Sequence, residues 1–543
     1  MKKSSFQKKI VTGECVDLSY EAKGVFKSDE DIVFVNDMYP GETGEIEIDY
    51  RRNGQFFGHV KKLAKRSKDR EKVRCPYFYQ CGGCQFQDYA YNAQLLFKQN
   101  KVKEQFKKIA HMDVNPLPTL GMEQPLCYRN KVQPLLGKDD HGNIYSGFYK
   151  AGTHVIVPIE KCLIEDERAT KILASIRKLM KSFRIEPYDE DGGYGLMRHI
   201  LIKTSFYYPE IMVVLITSVD SFPSRNNFTR TLIKECPEIT TIVQNINSRH
   251  TSVVLGEKTR VLYGKGYIQD TLCGIHFRIS AKSFYQTNPV MTEILYKKAM
   301  EFASISKDEV VFDAYSGIGT IGLIAAKDAK KVISVEVVPE AVMDAKENAR
   351  FNHIDNFFAY ADDASSFIYK MVRDKEHIDV LFMDPPRKGS DEKFLKAVLS
   401  IKPKRIVYIS CDPSSLARDV AYLSKDYEIK KIQPVDMFPQ TFHVETVTLL
   451  SQRESKEETT VSFENKKATK AETKPTYDQI KEYVMDKYGV KVSSLDVANA
   501  KNEFGLKERE NYNFPKSENS RRPNLTSKKK EMIKEAFQYF NMI

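Results

Sequence analysis

Three of the nine cysteines lie within ten residues of one another, at Cys75, Cys81 and Cys84. Nine cysteines in 543 residues is far below the density of a disulfide-stapled protein. Clustered thiols in a reducing compartment indicate a metal site before they indicate a disulfide. Four thiolates would suit either zinc or an iron–sulfur cluster, and the spacing alone favours neither.

A separate cysteine, Cys411, follows an apolar run at 405–410 and precedes Asp412-Pro413, which predicts the junction of a strand and a helix. A thiol that opens onto a helix N-terminus can have a lowered pKa and act as a nucleophile. The alternative is a small buried hydrophobe, which is the commoner role of a lone cysteine. The polar neighbours Ser410 and Asp412 favour the nucleophile.

An acidic residue, Glu445, lies 34 residues after Cys411, between Val444 and a further apolar run. We expect this side chain to be partly buried, and burial raises the pKa of a carboxyl group towards the range of a general base. The alternative is a glutamate on an edge strand that faces solvent.

A glycine-rich turn, Gly317-Ile-Gly-Thr-Ile-Gly322, follows the strand candidate at 310–314. Such a turn lets the backbone approach a ligand, and Glu336 at the next strand end is placed to accept the ribose hydroxyls of an adenosine. The same glycine pattern also matches the turns that bind NAD. Asp313 would repel a pyrophosphate and suits a cationic amino acid tail, so S-adenosylmethionine is favoured. Asp363, at the expected third strand end, is either an adenine contact or a helix cap.

The loop Asp384-Pro385-Pro386 follows the strand candidate at 380–383, where open α/β sheets bind ligands. Enzymes that methylate amino groups carry an aromatic side chain after such prolines, and Arg387 stands there instead. RNA cytosine-5-methyltransferases carry a cysteine beside the proline of this loop, and this sequence has none there. An exocyclic amine is therefore not the expected target, and the loop lacks the cytosine-type cysteine.

Carbon 5 of uracil is too weak a nucleophile to take a methyl group directly. A thiolate that adds to carbon 6 makes carbon 5 reactive, and a base later removes the carbon 5 proton so that the thiolate can leave. This chemistry needs one cysteine, one base and a sulfonium methyl donor. Cys411, Glu445 and the glycine-rich pocket supply that set.

Four stretches together resemble the RNA uracil-5-methyltransferase family, over about residues 8–451: Phe284–Asn288, Asp384–Arg387, Ser410–Pro413 and Phe442–Glu445. The resemblance implies that Cys411 is the nucleophile and Glu445 the proton-abstracting base. It also implies that the S-adenosylmethionine site is lined by Gln286, Tyr315, Glu336 and Asp384. Thr320 stands where relatives often carry asparagine.

The resemblance also gives the clustered cysteines a fourth member. Cys75, Cys81, Cys84 and Cys162 are similar to the iron–sulfur pattern of the ribosomal-RNA branch, which implies a structural [4Fe-4S] cluster. Transfer-RNA-specific members usually lack both the cluster and the N-terminal barrel, so a 23S rRNA substrate is implied. A tRNA enzyme and a non-catalytic iron–sulfur RNA-binding factor are the alternatives. We expect packing roles for the remaining cysteines, Cys15, Cys127, Cys236 and Cys273.

The elements that must position these residues predict an α/β protein. Residues 1–65 are predicted to form a small OB-like β-barrel, and a purely structural barrel would show the same pattern. The resemblance implies that this barrel is TRAM-like and binds RNA, and that 66–280 form an α+β central domain with the iron–sulfur site. Alternating strands and helices over 281–452 predict a Rossmann-like methyltransferase domain with a doubly wound parallel sheet. The Lys-, Glu- and Thr-rich stretch 453–475 predicts a flexible linker, and 476–543 a small helical appendage.

The formal net charge of +11 suggests a polyanionic partner, although a merely basic enzyme would show it too. The appendage is either a packing module or a helix-turn-helix on nucleic acid. No apolar run of membrane length and no apolar leader appear in the sequence, so we expect neither a membrane span nor a secretory signal. We therefore expect a cytoplasmic monomer without an obligate protein partner.

Overall fold

The computed structural model describes residues 9–251, 253–453, 477–504, 506, 526–540 and 542. The chain divides into two compact units, Met1–Glu454 and Ser455–Ile543. All but the first residue of the predicted linker at 453–475 lie outside the described residues. No helix of the described part is long and apolar enough to cross a membrane.

The first strands close into a small barrel, as the sequence predicts. Its core contains Val11, Phe26 and Ile46, because successive side chains of a strand face opposite sides. Around the barrel the strands pair in the order β1-β2-β3-β5-β4. Their bounds are β1 (Lys9–Leu18), β2 (Gly24–Ser28), β3 (Ile32–Val35), β4 (Thr43–Arg52) and β5 (Gln55–Lys65).

The central region is α+β and contains one long connecting helix. This helix, α1 (Tyr91–Gln105), continues into a π-helical turn at Phe106–Ala110. The strands form a five-stranded sheet in the order β13-β12-β11-β10-β6, a three-stranded sheet β7-β8-β9 and a hairpin β14-β15. The remaining bounds are β6 (Lys131–Val132), β7 (Leu135–Lys138), β8 (Ile144–Tyr149), β9 (Ile156–Pro158), α2 (Glu167–Ser182), β10 (Met197–Thr204), β11 (Ile211–Thr217), α3 (Arg225–Glu235), β12 (Thr241–Ile246), β13 (Lys258–Tyr263), β14 (Tyr267–Leu272) and β15 (Ile275–Ser280).

A seven-stranded sheet follows, in the order β18-β17-β16-β19-β20-β22-β21. Its elements are α4 (Pro289–Ala303), β16 (Val310–Ala314), α5 (Thr320–Ala325), β17 (Lys331–Glu336), α6 (Pro339–Phe351), β18 (Phe357–Ala361), α7 (Ala364–Arg373), β19 (Val380–Met383), α8 (Glu392–Ile401), β20 (Arg405–Ser410), α9 (Pro413–Leu423), β21 (Tyr427–Val435) and β22 (Glu445–Gln452).

The prediction of a wholly parallel sheet is wrong at one edge. The first five strands in chain order are parallel, but β22 pairs antiparallel with both β20 and β21. A parallel connection needs a crossover of about a dozen residues or more. The loop between β21 and β22 spans only 436–444, so the chain turns back on itself and places Glu445 at the start of β22.

The described residues of the second unit form three helices, α10 (Tyr477–Tyr488), α11 (Ser494–Glu503) and α12 (Ser527–Tyr539). They bury Ile480, Val497 and Phe537 in a common core. Ser493 and Asp496 form a capping box at the start of α11. Whether this unit binds nucleic acid stays a prediction.

Candidate active site

A cavity of about 680 Å³ opens at the carboxyl ends of β16, β17, β19 and β20. Parallel strands bring the ends of distant segments to one edge of the sheet, which is where such folds bind ligands. The cavity is lined by all six side chains that the sequence analysis assigned to catalysis or to the methyl donor: Gln286, Tyr315, Glu336, Asp384, Cys411 and Glu445.

The glycine-rich turn after β16 forms one wall of this cavity. Gly317 and Gly319 adopt φ values of 55° and 80°, in the left-handed region that favours glycine. A Cβ atom at Gly319 would lie 2.9 Å from Phe357 Cζ, so only glycine fits there. The Gly317 amide donates to Glu336 Oε2 at 3.0 Å, and the Val338 amide donates to Oε1 at 3.0 Å. Two backbone amides therefore fix the Glu336 carboxylate at the cavity wall.

Asp313 has a different role from the expected one. Its side chain is fully buried and is not part of the cavity lining. Oδ2 accepts hydrogen bonds from the Gly322 amide at 2.9 Å and from Ser334 Oγ at 3.2 Å, and burial raises the pKa of the carboxyl group to about 7. Asp313 thus ties the start of α5 to the sheet, and the argument from pyrophosphate repulsion does not apply to it.

Two further side chains border the cavity near the adenosine end that the sequence predicts. Tyr315 adopts φ of 64°, and its hydroxyl donates to Ser390 Oγ at 3.3 Å. Asp363 caps α7 by accepting from the Ser366 amide at 2.9 Å, and it also lines the cavity. The two interpretations of Asp363, a ligand contact and a helix cap, are therefore compatible in this fold.

Cys411 lies at the end of β20, but the expected lowering of its pKa is wrong. Burial and the nearby carboxylates of Glu445, Asp384 and Asp412 raise the pKa of the thiol to about 12, against a smaller opposing effect of Arg387. Asp412 Oδ1 also accepts from the amides of the first turn of α9, so the helix end already has an anionic cap. In the free protein Cys411 is a neutral thiol at physiological pH.

The carboxyl groups of Glu445 and Asp384 share the cavity with this thiol. Glu445 is 5% exposed, as the sequence predicts for a partly buried acid, and burial together with Asp384 raises its pKa to about 8. Burial raises the pKa of Asp384 to about 7. Within the described part of the chain neither side chain has a hydrogen-bond partner. Each is therefore available to exchange a proton or to accept a donor from a ligand.

A second cavity, of about 380 Å³, is lined by Cys75, Cys81, Cys84 and Cys162. The Gly83 amide donates to Cys81 Sγ at 3.3 Å, and Gln87 Nε2 donates to Cys84 Sγ at 3.7 Å. Phe78, Phe148 and Ile159 complete an apolar wall. Among the described residues, no three of these sulfurs lie within 4.8 Å of one another.

The remaining cysteines are of two kinds. Cys15 and Cys236 are fully buried, which confirms their packing role. Cys127 is exposed and Cys273 is only partly buried. The packing role is therefore wrong for Cys127, whose backbone adopts φ of 53° and directs the thiol towards Leu163 O at 3.5 Å.

Sequence reasoning missed several residues that contact the site. Tyr296 and Phe438 line the cavity, and Tyr20 of the barrel donates a hydrogen bond to Asp412. Lys101 of α1 is 6% exposed, although lysine is seldom buried. The local sequence around Lys101 does not reveal its hydrogen-bond partner Phe442, which lies 341 residues away along the chain.

A Rossmann-like sheet binds its ligand in a cavity at the strand ends, and S-adenosylmethionine-dependent methyltransferases and dinucleotide-binding enzymes share this arrangement. Residues 237–453 match the model of the tRNA (Uracil-5-)-methyltransferase family. An uncharacterized RNA methyltransferase of Oceanobacillus iheyensis is 43% identical over 438 residues, which cover 80% of this chain and 95% of that protein. One of Halalkalibacterium halodurans is 42% identical over 436 residues, again 80% of this chain and 95% of the relative.

A solved structure agrees with these relatives. The tRNA (uracil-54, C5)-methyltransferase of Pyrococcus abyssi, in complex with S-adenosyl-L-homocysteine, is 25% identical with a TM-score of 0.64, over 81% of this chain and 100% of that one. The chain belongs to the RNA (uracil-5-)-methyltransferase family.

Proposed function

We propose that this protein methylates carbon 5 of uridine in 23S rRNA, with Cys411 as the nucleophile and Glu445 as the base. The observation that carries the proposal is the meeting of a thiol, two carboxyl groups without partners and the glycine-rich turn in one cavity. Uracil-5 chemistry requires such a set, because the base must be activated by addition before it can take the methyl group.

In this proposal Gln286, Tyr315, Glu336 and Asp384 hold the methyl donor. S-adenosylmethionine supplies an electrophilic methyl group and a positive charge when it is bound. The cavity lining favours a cation, since it has six acidic side chains against one lysine: Glu336, Asp362, Asp363, Asp384, Asp391, Glu445 and Lys388. The same charge disfavours phosphates, so we expect the base and ribose of an extruded nucleotide to enter while its phosphates stay outside.

The proposed reaction begins when the Cys411 thiol gives up its proton to a carboxylate of the cavity. The sulfur then bonds to carbon 6 of uracil, and the displaced ring electrons make carbon 5 nucleophilic. Carbon 5 would then take the methyl group, while the electrons of the broken methyl–sulfur bond would stay with the donor's sulfur. Glu445 removes the proton from carbon 5. The electron pair of that C–H bond restores the double bond, and the carbon 6–sulfur bond breaks so that its electrons return to Cys411.

The barrel is proposed to bind RNA as a TRAM-like module. Strand β5 and its exit carry an exposed basic stripe: Lys61, Lys62, Lys65, Arg66 and Lys68. Exposed lysines and arginines bind phosphates through charge, largely independently of sequence. The barrel therefore supplies the phosphate affinity that the acidic cavity does not have.

The four cysteines of the second cavity are proposed to hold a [4Fe-4S] cluster. A zinc–sulfur bond of about 2.3 Å places the sulfurs of a tetrahedral site about 3.8 Å apart. Among the described residues no three of these sulfurs lie within 4.8 Å of one another, and the cavity of about 380 Å³ has room for a polynuclear group. The N–H donors to Cys81 and Cys84 are of the kind that stabilise cluster thiolates.

A tRNA substrate is the second candidate. The Pyrococcus abyssi tRNA enzyme matches 81% of this chain, which limits how far an N-terminal barrel argues for ribosomal RNA. The test is to map 5-methyluridine in ribosomal and transfer RNA from a strain that lacks the gene, and to restore it with the wild-type chain. Loss in 23S rRNA alone supports the proposal, loss in tRNA alone supports the second candidate, and no loss in either contradicts both.

A further inference from the structure

The side chain of Tyr20 connects the barrel to the loop of the nucleophile. Tyr20 lies just after β1, and its hydroxyl donates to Asp412 Oδ2 at 3.0 Å. Asp412 directly follows Cys411, and its Oδ1 accepts from the amides of Ser414 and Ser415 at 2.9 Å and 3.1 Å. The carboxylate that starts α9 is thus held from the barrel side by one phenolic hydrogen bond.

Lys101 connects the same tyrosine to the loop of the base. Its Nζ lies 3.8 Å from the centroid of the Tyr20 ring and 4.7 Å from that of Phe442. It also donates to the Phe442 carbonyl at 2.9 Å, three residues before Glu445. A buried ammonium group needs such contacts, because burial without partners is costly. The contacts therefore fix Lys101 between the barrel and the loop at 436–444.

Helix α1 holds that loop at a second point. Lys98 is fully buried and pairs with Asp436, and its Nζ also donates to the Phe438 carbonyl at 3.1 Å. Farther along the helix, Gln105 Oε1 accepts from Ser414 Oγ at 3.2 Å. One helix and one barrel tyrosine consequently touch both the segment after Cys411 and the segment before Glu445.

We propose that Tyr20 and Lys101 are positioning residues that set the nucleophile and the base against each other, Tyr20 through Asp412 and Lys101 through Phe442. This inference rests on the proposed roles of Cys411 and Glu445. It gives the barrel a part in catalysis that is separate from RNA affinity. The two side chains act on different steps, Tyr20 on formation of the covalent RNA adduct and Lys101 on its resolution.

The experiment compares Tyr20→Phe and Lys101→Met in the full-length protein, with Tyr263→Phe and Lys107→Met as controls on exposed side chains. We expect kcat to fall about five- to tenfold in each test variant, the worth of one hydrogen bond, while KM for RNA and the controls stay unchanged. The covalent adduct on denaturing gels should increase at steady state in Lys101→Met. In a Glu445→Gln background, which blocks resolution, Tyr20→Phe should slow adduct formation.

If the two side chains had a purely structural role, the substitutions would lower the thermal midpoint of unfolding and would slow adduct formation and adduct resolution equally. That result would overturn the proposal. So would unchanged kcat in both test variants. Tyr20→Phe removes a single oxygen atom from a partly buried site, so it remains informative if Lys101→Met does not fold. If the wild-type chain itself forms neither adduct nor 5-methyluridine on any RNA, the proposed function fails. If it forms both and the variants match it, only the positioning role fails.

Discussion

Five of the nine cysteines line two separate cavities, and the two cavities surround their cysteine thiols with different neighbours. The cavity of Cys75 is apolar, with Arg129, Lys131 and one acid, Glu165, in its wall. The cavity of Cys411 is lined by six acids and one lysine. Cations and N–H donors offset the negative charge of thiolates, whereas carboxylates oppose it. Burial raises the pKa of the Cys84 thiol to about 12 as well, against opposing effects of Gln87 and Arg129, so the two cavities differ in what surrounds the thiol and not in its protonation in the free protein.

Replacement of Cys411 should have the largest effect. In Cys411→Ala we expect methylation to fall by more than about 1,000-fold, because the nucleophile is lost, while RNA affinity is retained. Cys273→Ala, at a partly buried cysteine outside both cavities, is the matched control. Formation of 5-methyluridine and a filter-binding assay measure the two quantities. Full turnover in Cys411→Ala would show that the thiol is not the nucleophile.

Replacement of Glu445 tests the proposed base of the acidic cavity. Glu445→Gln should reduce turnover by about 100- to 10,000-fold, the range for loss of a general base. Because proton removal precedes release of the thiol, a covalent protein–RNA adduct should accumulate on a denaturing gel. Glu428→Gln, on β21, is the control. Normal turnover without an adduct would remove Glu445 from the mechanism.

The metal content of the protein tests the cavity that is lined by Cys75, Cys81, Cys84 and Cys162. Anaerobically purified protein should contain about four iron and four sulfide per chain, and Cys84→Ser should contain much less. Cys127→Ser, at the exposed cysteine, should match the wild type. Elemental analysis and the visible absorption spectrum give the result. A colourless protein with one zinc ion per chain would contradict the iron–sulfur cluster.

The last prediction concerns the pH dependence of alkylation at Cys411. Since its pKa is raised to about 12, the thiolate is a small minority at neutral pH, and alkylation by iodoacetamide should rise about tenfold per pH unit between pH 7 and 10 without a plateau. Glu445→Gln removes a negative charge, lowers the pKa of the thiol and should speed alkylation at pH 8. Mass spectrometry distinguishes Cys411 from exposed Cys127. A plateau below pH 9 would contradict the acidic setting.

The identity of the cavity residues followed from local sequence. The glycine turn, Glu336 and Asp384 each come at a predicted strand end, and parallel strands must bring such ends together. The burial of Glu445 followed from its apolar neighbours. The barrel and the strands at 310–314, 380–383 and 405–410 were predicted for the same reason, since alternation and turn residues are properties of short segments.

The errors concern properties that depend on neighbours distant in sequence. The pKa of Cys411 is raised instead of lowered, partly because Asp384 and Glu445 lie near the thiol in space although they are 27 and 34 residues away in the sequence. Asp313 faces Gly322 and Ser334 instead of the cavity, which no strand pattern reveals. The antiparallel edge of the sheet depends on how β22 pairs, and a periodicity does not give pairing.

The resemblance identified the family and, together with residue type and spacing, the side chains that meet at the strand ends. Those features depend on the chemistry of single groups and on short-range strand geometry. The fold alone decided the charge state of the nucleophile, the spacing of the four clustered thiols and the contact of Tyr20 and Lys101 with both catalytic loops. Electrostatic interactions and packing depend on distance in space, and segments hundreds of residues apart become neighbours only when the chain has folded.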